Sequence, residues 1–394
     1  MTLDRRHFLQ LGAFGAPFLS AGARGSWSEG ARGFSRAADS DAATADDRLV
    51  RLSGDGLGLT PKQYGAVLTQ ILDERGVAPD SYTLGGVVEE LEQQFARALG
   101  KERAIFMPTG TLANHMAVRA LANGSSRVIV QEESHLYQDE GDCAQTLSNL
   151  VLMPLGAGRA SFTAADVQHV IDQTKSARVV SRVSVISIET PVRRKQGERF
   201  DAGELKTIIA LAKKEGIRLH LDGARLFIQA AYTGEDVAAY SAPFDTVYVS
   251  LYKYFNAASG AILAGPRDVI DGMYHTRRMF GGGLSSAWPF AAVALHYLAG
   301  FGDRFGRAVK TSEELIRALG QHRSLAVERV SPGTNLFHLQ VRGADAAAFR
   351  TRLAQQGINL SAPQGDRFLI GVNETWNRRT PAELTDMFTR ALAS

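Results

Sequence analysis

Cysteine is almost missing from this 394-residue chain. Cys143 stands alone, which excludes an intrachain disulfide and any multi-cysteine metal site. A charge of one sign is missing too. Lys and Arg total 44 against 41 Asp and Glu, a net +3, too balanced for nucleic acid or an anionic membrane to be the main partner. No apolar run approaches the ~20 residues a membrane-spanning helix requires. The nearest, Phe8 to about Leu19, is short and contains Pro17. There is no internal repeat. What remains is ordinary globular composition, 45% hydrophobic and 22% charged, long enough for a large core and two or three domains. Glycine is the one mild surplus, 39 residues, and signals tight turns or close backbone approaches without locating them.

The first residues read as an address. Arg5-Arg6 precedes a weakly apolar stretch and then Ala21-Gly22-Ala23, a small-x-small cleavage pattern. In that order they resemble a twin-arginine export signal over residues 1–23. The resemblance implies a periplasmic protein, exported folded and cleaved near Ala23, and hints at a cofactor acquired before export. A disulfide-free fold is compatible with an oxidising compartment. Residues 24–48, rich in Ala, Ser, Arg, Gly and Asp without periodicity, read as a flexible linker.

The body then falls into two patterns. Thr60-Pro61 predicts a capped helix to about Arg75, and Val87, Leu91, Phe95 and Leu99 mark an amphipathic helix ending at Gly100. Short apolar runs follow at 104–107, 127–130, 150–153, 183–188, 218–221, 246–249 and 261–264, several separated by helical stretches such as 112–122, 164–173 and 202–215. Strands that are apolar throughout and alternate with helices predict a buried, mostly parallel sheet in an α/β domain. After Gly283 come helices at 289–301 and 304–322, short strands at 326–330, 335–341 and 368–372, and helices at 344–355 and 381–393. This predicts an N-terminal arm and large domain over 49–310 and a small C-terminal α+β domain over 311–394.

Three strand ends carry candidate chemistry. Phe106-Met107-Pro108 runs through Thr109-Gly110-Thr111 into a helix, where free N–H groups, hydroxyls and the helix dipole suit a phosphate. Asp222 ends the strand Arg218–Leu221, at the edge of an open sheet where ligands bind, although such an Asp can also cap a helix. Lys253 follows the strand Thr246–Val249, a setting that suits Schiff-base chemistry. A phosphate turn, an Asp and a Lys together match the phosphate, ring nitrogen and aldehyde of pyridoxal 5'-phosphate.

These segments resemble the threonine aldolase and β-eliminating lyase family of fold-type I pyridoxal-phosphate enzymes, over about residues 50–394. The anchors are Ala104–Asn114, His220–Phe227, the Ser250…Lys253…Gly260 segment and the run Gly281-Gly282-Gly283. The resemblance implies a large domain with a seven-stranded, mostly parallel sheet, and a homodimer or homotetramer with its sites at subunit interfaces. It implies that Lys253 holds the cofactor's aldehyde and transfers protons, and that Asp222 pairs with the ring nitrogen. Thr109, Gly110, Thr111 and Ser250 would hold the phosphate, His135 would stack on the ring, and Arg225 would sit beside its phenolic oxygen. Arg367, with weaker matches at Ser53 and Tyr82, would bind the amino-acid substrate.

The sequence departs from the family where substrate would lie. Tyr252 rather than Ser precedes Lys253. Glu189-Thr190-Pro191-Val192-Arg193 stands where the family has Glu-Asn-Thr-His-Asn, so the histidine assigned to the β-hydroxyl is absent. Leu284-Ser285-Ser286 replaces Met-Arg-Gln, leaving Arg277 or Arg278 to substitute for an arginine, and Ser53-Gly54-Asp55 replaces Ser-Asp-Thr. The basic trio Arg193-Arg194-Lys195 either meets an acidic substrate group or is a solvated loop. The expected activity is a lyase cleaving a β-hydroxy-α-amino acid to glycine and an aldehyde, with His135, a water or Tyr82 as base. The alternatives are β-elimination, racemisation or transamination with the same cofactor, and a non-catalytic exported protein on the same scaffold.

Overall fold

The computed structural model describes residues 48–392. The export signal expected at 1–23 and nearly all of the linker expected at 24–48 lie outside the described residues. A short strand, β1 (Val50–Arg51), is followed by a helix at Pro61–Arg75, whose Thr60 cap and Gln63 bond each other reciprocally. The amphipathic helix Gly86–Ala98 comes next, burying Val87, Val88, Leu91 and Phe95.

The large sheet takes its strands from all seven apolar runs. They are β2 (Arg103–Met107), β3 (Arg127–Gln131), β4 (Val151–Leu155), β5 (Val183–Glu189), β6 (Arg218–Asp222), β7 (Thr246–Ser250) and β8 (Ala261–Gly265). Their spatial order is β2-β8-β7-β6-β5-β3-β4. Only β8 runs against its neighbours, so the other six share one direction and one carboxyl edge. Buried side chains on both faces of β5 to β8 explain why these strands read as unbroken apolar runs. This is the α/β fold with a mostly parallel seven-stranded sheet that the sequence predicts.

The C-terminal part carries a three-stranded antiparallel sheet of β9 (Leu325–Arg329), β10 (Leu336–Val341) and β12 (Arg367–Gly371), in the order β12-β10-β9. β11 (Ile358–Asn359) pairs in parallel with β1, a contact the sequence pattern does not predict. The division expected at 310/311 falls inside the helix Phe301–Leu319. Phe301 and Phe305 of that helix pack in the core of the large sheet, while Ala308, Leu315 and Leu319 pack in the core of the small one. Among the described residues no helix is long and apolar enough to cross a membrane.

Candidate active site

The site grows from the shared carboxyl edge. β2 passes through Pro108 to Thr109, whose extended backbone and side chain cap the helix Gly110–Ala122 by accepting from the Leu112 N–H at 3.2 Å. Gly110 follows because nothing larger fits: a Cβ there would lie 2.1 Å from the Tyr248 hydroxyl. One turn later on the same helix face, Asn114 is fully buried and donates to Asp222 Oδ2 at 2.8 Å and to Glu140 Oε1 at 2.9 Å. Its own carbonyl oxygen faces His220 Nε2 at 3.0 Å, and His220 Nδ1 meets Thr246 Oγ1 at 2.9 Å. Burial holds the His220 pKa down to about 4, so the ring is neutral and donates through Nε2. Asp222 therefore ends β6 with two donors on its carboxylate, Asn114 on Oδ2 and the Ala224 N–H on Oδ1 at 3.1 Å.

Glu189 ends β5 directly opposite Asp222 in the parallel register. Its two oxygens accept the backbone N–H groups of His135 at 2.6 Å and Arg193 at 2.9 Å, so one carboxylate holds both backbones side by side. Burial, with Asp222 beside it, pushes the Glu189 carboxyl up to about 7. His135 Nδ1 lies 2.9 Å from Glu140 Oε1. That hydrogen bond raises the His135 pKa, and burial raises that of Glu140. With Nδ1 engaged by a buried carboxylate, Nε2 is the nitrogen left for the site.

Lys253 stands three residues beyond β7, half-buried, its Nζ 5.1 Å from the centre of the Tyr252 ring and 6.0 Å from that of Tyr248. No carboxylate pairs with it among the described residues. The N-terminal arm locks this loop. The Leu57 N–H donates to Asn256 Oδ1 at 2.8 Å, and Gly56 comes so close that a Cβ would lie 2.2 Å from the Lys253 carbonyl oxygen. Asp55 of the arm binds Arg225 at 2.9 Å.

Two adjoining cavities result. The inner one, of about 290 Å³, is lined by Thr109, Gly110, Thr111, Asp222 and Ser259. The outer one, of about 830 Å³, is lined by Arg51, Ser53 and Asp55. His135, Arg193, Arg225, Tyr252 and Lys253 line both. A cleft of about 1060 Å³ at the opposite edge of the sheet, around Asn123–Ser126, Arg182 and Arg218, holds none of these groups.

Eight of the expected site residues thus meet: Lys253, His135, Asp222, Thr109, Gly110, Thr111, Arg225 and Ser53. Three do not. Arg367 lines neither cavity. It alternates with the buried Phe368 and Ile370, so it faces outward along β12 and pairs with exposed Glu328. Tyr82 is also outside both cavities, 45% exposed, with its N–H on Ser285 O and Arg278 4.8 Å over its ring. Ser250 is fully buried rather than on the wall, where Ser259 stands. Its Oγ completes no hydrogen bond of regular geometry, although it is close enough to the Tyr248 hydroxyl to oppose the burial-driven rise in that phenol's pKa. Arg277 is buried and bound to Phe106 O and Thr83 Oγ1, so it braces the fold instead of facing a ligand. Sequence reasoning missed Asn114, Glu140, Glu189 and Asp55 as parts of the site. Asn114 had a readable signal, its place one turn after Gly110.

Comparison with known proteins agrees with this geometry. The beta-eliminating lyase family is matched over residues 76–342. Low-specificity L-threonine aldolase 1 of Arabidopsis thaliana is 24% identical over 290 residues, 72% of this chain and 80% of that protein. This chain spans little more than half the length of other curated relatives, 55% of one from Caenorhabditis elegans and 54% of one from Schizosaccharomyces pombe. A solved structure from Exiguobacterium sp. 255-15, assigned as an aromatic amino acid beta-eliminating lyase/threonine aldolase, is 27% identical with a TM-score of 0.71, covering 88% of this chain and 98% of that one. Another from Listeria monocytogenes, assigned as an L-allo-threonine aldolase, is 29% identical with a TM-score of 0.71, covering 89% and 97%. The family match takes in well over half of the chain, including the whole large sheet and the inner cavity, and on that ground the chain belongs to the beta-eliminating lyase family.

Proposed function

We propose that this chain is a pyridoxal-phosphate-dependent lyase that cleaves a β-hydroxy-α-amino acid to glycine and an aldehyde. The observation that carries this reading is the meeting of Lys253, Asp222, the Thr109–Thr111 turn and the His135–Glu140 pair around one inner cavity. The threonine aldolase names of the similar Arabidopsis and Listeria proteins support the same reaction.

The residues fit the cofactor. The unbonded first N–H groups of the helix that starts at Gly110 form a cradle for phosphate, with the Thr111 and Ser259 hydroxyls at the same wall and the Tyr248 hydroxyl packed against Gly110. Asp222, fixed by Asn114 and the Ala224 N–H, offers a carboxylate to a ring nitrogen. Lys253 has no carboxylate competing for its amine. Pyridoxal phosphate, when bound, supplies an electron sink for the bond that breaks. The chain's own groups do the rest. Asp222 would keep a ring nitrogen protonated, and Arg225, which lines both cavities and is anchored by Asp55, would offer its charge to an oxygen of the cofactor. His135, steered through Nδ1 by Glu140, takes the β-hydroxyl proton at Nε2. Lys253 returns a proton to the glycine Cα. With Arg367 on the outer face, Arg51, which lines the outer cavity alone and has no carboxylate partner among the described residues, is suited to the substrate α-carboxylate.

The test is a panel of β-hydroxy amino acids with aldehyde and glycine both quantified, on wild type and Lys253→Ala. Equimolar glycine and aldehyde from wild type, with at least a 1000-fold loss in the variant, support the reading. Pyruvate with ammonia, an inverted α-carbon, or a keto acid instead of glycine would replace it with elimination, racemisation or transamination. A wild type with no visible cofactor band, even after added pyridoxal phosphate, would favour a non-catalytic protein.

The same reading includes a homodimer or homotetramer, supported by the exposed Tyr82, Leu84 and Met279 near the glycine run 281–283. Sedimentation velocity tests it. It also includes periplasmic export through residues 1–23, supported by the sequence pattern alone. Cell fractionation of wild type and an Arg5→Lys/Arg6→Lys variant tests that.

A further inference from the structure

We propose that Arg193 makes this site selective for substrates bearing a second anionic group on Cβ, so that the preferred substrate is a β-hydroxy dicarboxylic amino acid. The inference rests on the aldol reading above and adds the substrate class.

It follows from the charges of the two cavities. Most groups are already paired. Arg225 is bound by Asp55 at 2.9 Å. Asp139, on the inner wall, is bound at 3.2 Å by Arg194, which also reaches Glu133 at 3.5 Å. Asp222 is occupied by Asn114 and the Ala224 N–H, and Glu189 by the N–H groups of His135 and Arg193. Two guanidiniums on the cavity walls then have no carboxylate partner among the described residues, Arg51 and Arg193. An ordinary amino acid brings one carboxylate, which Arg51 accounts for. Arg193 remains.

Its position says what it reads. Glu189 grips the backbones of His135 and Arg193 with its two oxygens, so the side chains start from adjacent points on one wall. His135 is the group assigned to the oxygen on Cβ. The residue beside it meets whatever else Cβ carries. Arg193 also opens a short 3₁₀ turn, Arg193–Lys195, in the segment where the family histidine is missing, and Val192, at that histidine's place, is fully buried. A planar guanidinium matches a carboxylate bidentately, with a geometry that a hydroxyl or methyl group cannot use.

With 3-hydroxyaspartate the reaction balances without an oxidant. The Cα–Cβ bond breaks, the β-hydroxyl gives its proton to His135 and becomes the aldehyde of glyoxylate, and Cα takes a proton to become glycine.

The experiment compares kcat/KM of the holoenzyme for 3-hydroxyaspartate and for threonine, using both diastereomers of each, in wild type, Arg193→Ala and Arg193→Lys. Wild type is expected to favour the dicarboxylate by at least tenfold. Arg193→Ala lowers the dicarboxylate-to-threonine ratio by about 10- to 100-fold, the range for a charge-assisted hydrogen bond, and Arg193→Lys restores part of it. An unchanged ratio overturns the inference, whether both substrates fall together, as for a guanidinium that holds the α-carboxylate, or neither changes, as for a solvated one. Titration of pyridoxal phosphate by its visible band guards a third role: a tenfold weaker affinity in Arg193→Ala would assign Arg193 to the cofactor and overturn the inference. A second readout is independent of turnover. Succinate should raise the unfolding temperature of wild type more than butyrate does, and the difference should vanish in Arg193→Ala. If that difference holds while no substrate yields aldehyde, the aldol reading fails and the anionic pocket stands.

Discussion

Asp55→Ala should release the N-terminal arm from the site, and the cost can be worked from the contact. Arg225 reaches Asp55 Oδ2 at 2.9 Å through both Nε and a terminal nitrogen, and the two side chains are only 15% and 14% exposed. Burial by itself would disfavour the guanidinium's charge, and Asp55 outweighs it, raising the Arg225 pKa. At ~4 Å between charge centres and an effective dielectric constant of about 20, the gross attraction is about 4 kcal/mol. Stranding one member of a fully buried pair costs about 3–5 kcal/mol. Residual exposure lets water reach Arg225, so about 2–3 kcal/mol is expected here. The Leu57 amide reports it directly, because its hydrogen bond to Asn256 Oδ1 spans from the arm to the Lys253 loop. Native-state hydrogen exchange in peptides covering 50–59 should speed up about 30- to 150-fold, at 1.36 kcal/mol per decade, with no change in β4. A cycle with Arg225→Ala should show strong coupling, since the double variant leaves no unpaired charge. Acceleration below threefold, or additive effects in the cycle, would refute the claim that this pair holds the arm.

That pair also marks the limit of what the sequence made legible. The seven strands of the large sheet were readable because each carries an apolar run within a residue or two of its true bounds, and β5 to β8 are buried on both faces. The Thr109 turn, Asp222 and Lys253 were readable because they sit at the ends of such runs. Asp55 was not, because its meaning depends on Arg225, which is remote in sequence and brought close only when the arm folds back. β1 and β11 are two residues each and carry no periodicity, so their pairing exists only in the folded chain. Glu140, in the turn after His135–Gln138, likewise acquires its role by meeting Asn114 of the helix Gly110–Ala122. Arg367 illustrates an error of face rather than of element. The strand was located correctly, but Phe368 and Ile370 take the core side, which turns Arg367 outward by the simple alternation of a strand.

Two further variants test the inner wall. Gly110→Ala brings a Cβ to 2.1 Å from the Tyr248 hydroxyl, so the helix start must shift; a destabilisation of about 1–3 kcal/mol and weaker pyridoxal-phosphate binding are expected by denaturant titration and visible absorbance. A variant as stable and as avid as wild type would mean that the cradle lies elsewhere. Glu140→Gln tests the pair that steers His135. Glu140 is the largest cause raising the His135 pKa, assisted by Asp222 and Glu189, while burial opposes it. A base must be neutral to accept the β-hydroxyl proton, so in wild type the rising limb of kcat against pH lies above the ordinary histidine range. Removing the Glu140 charge lets burial count for more, and the limb moves to lower pH. The plateau should also fall, because glutamine can offer Nδ1 either its oxygen or its amide and no longer fixes the tautomer that leaves Nε2 free. A limb that moves to higher pH, or a profile unchanged in both position and height, would mean that His135 is not the group that takes the proton.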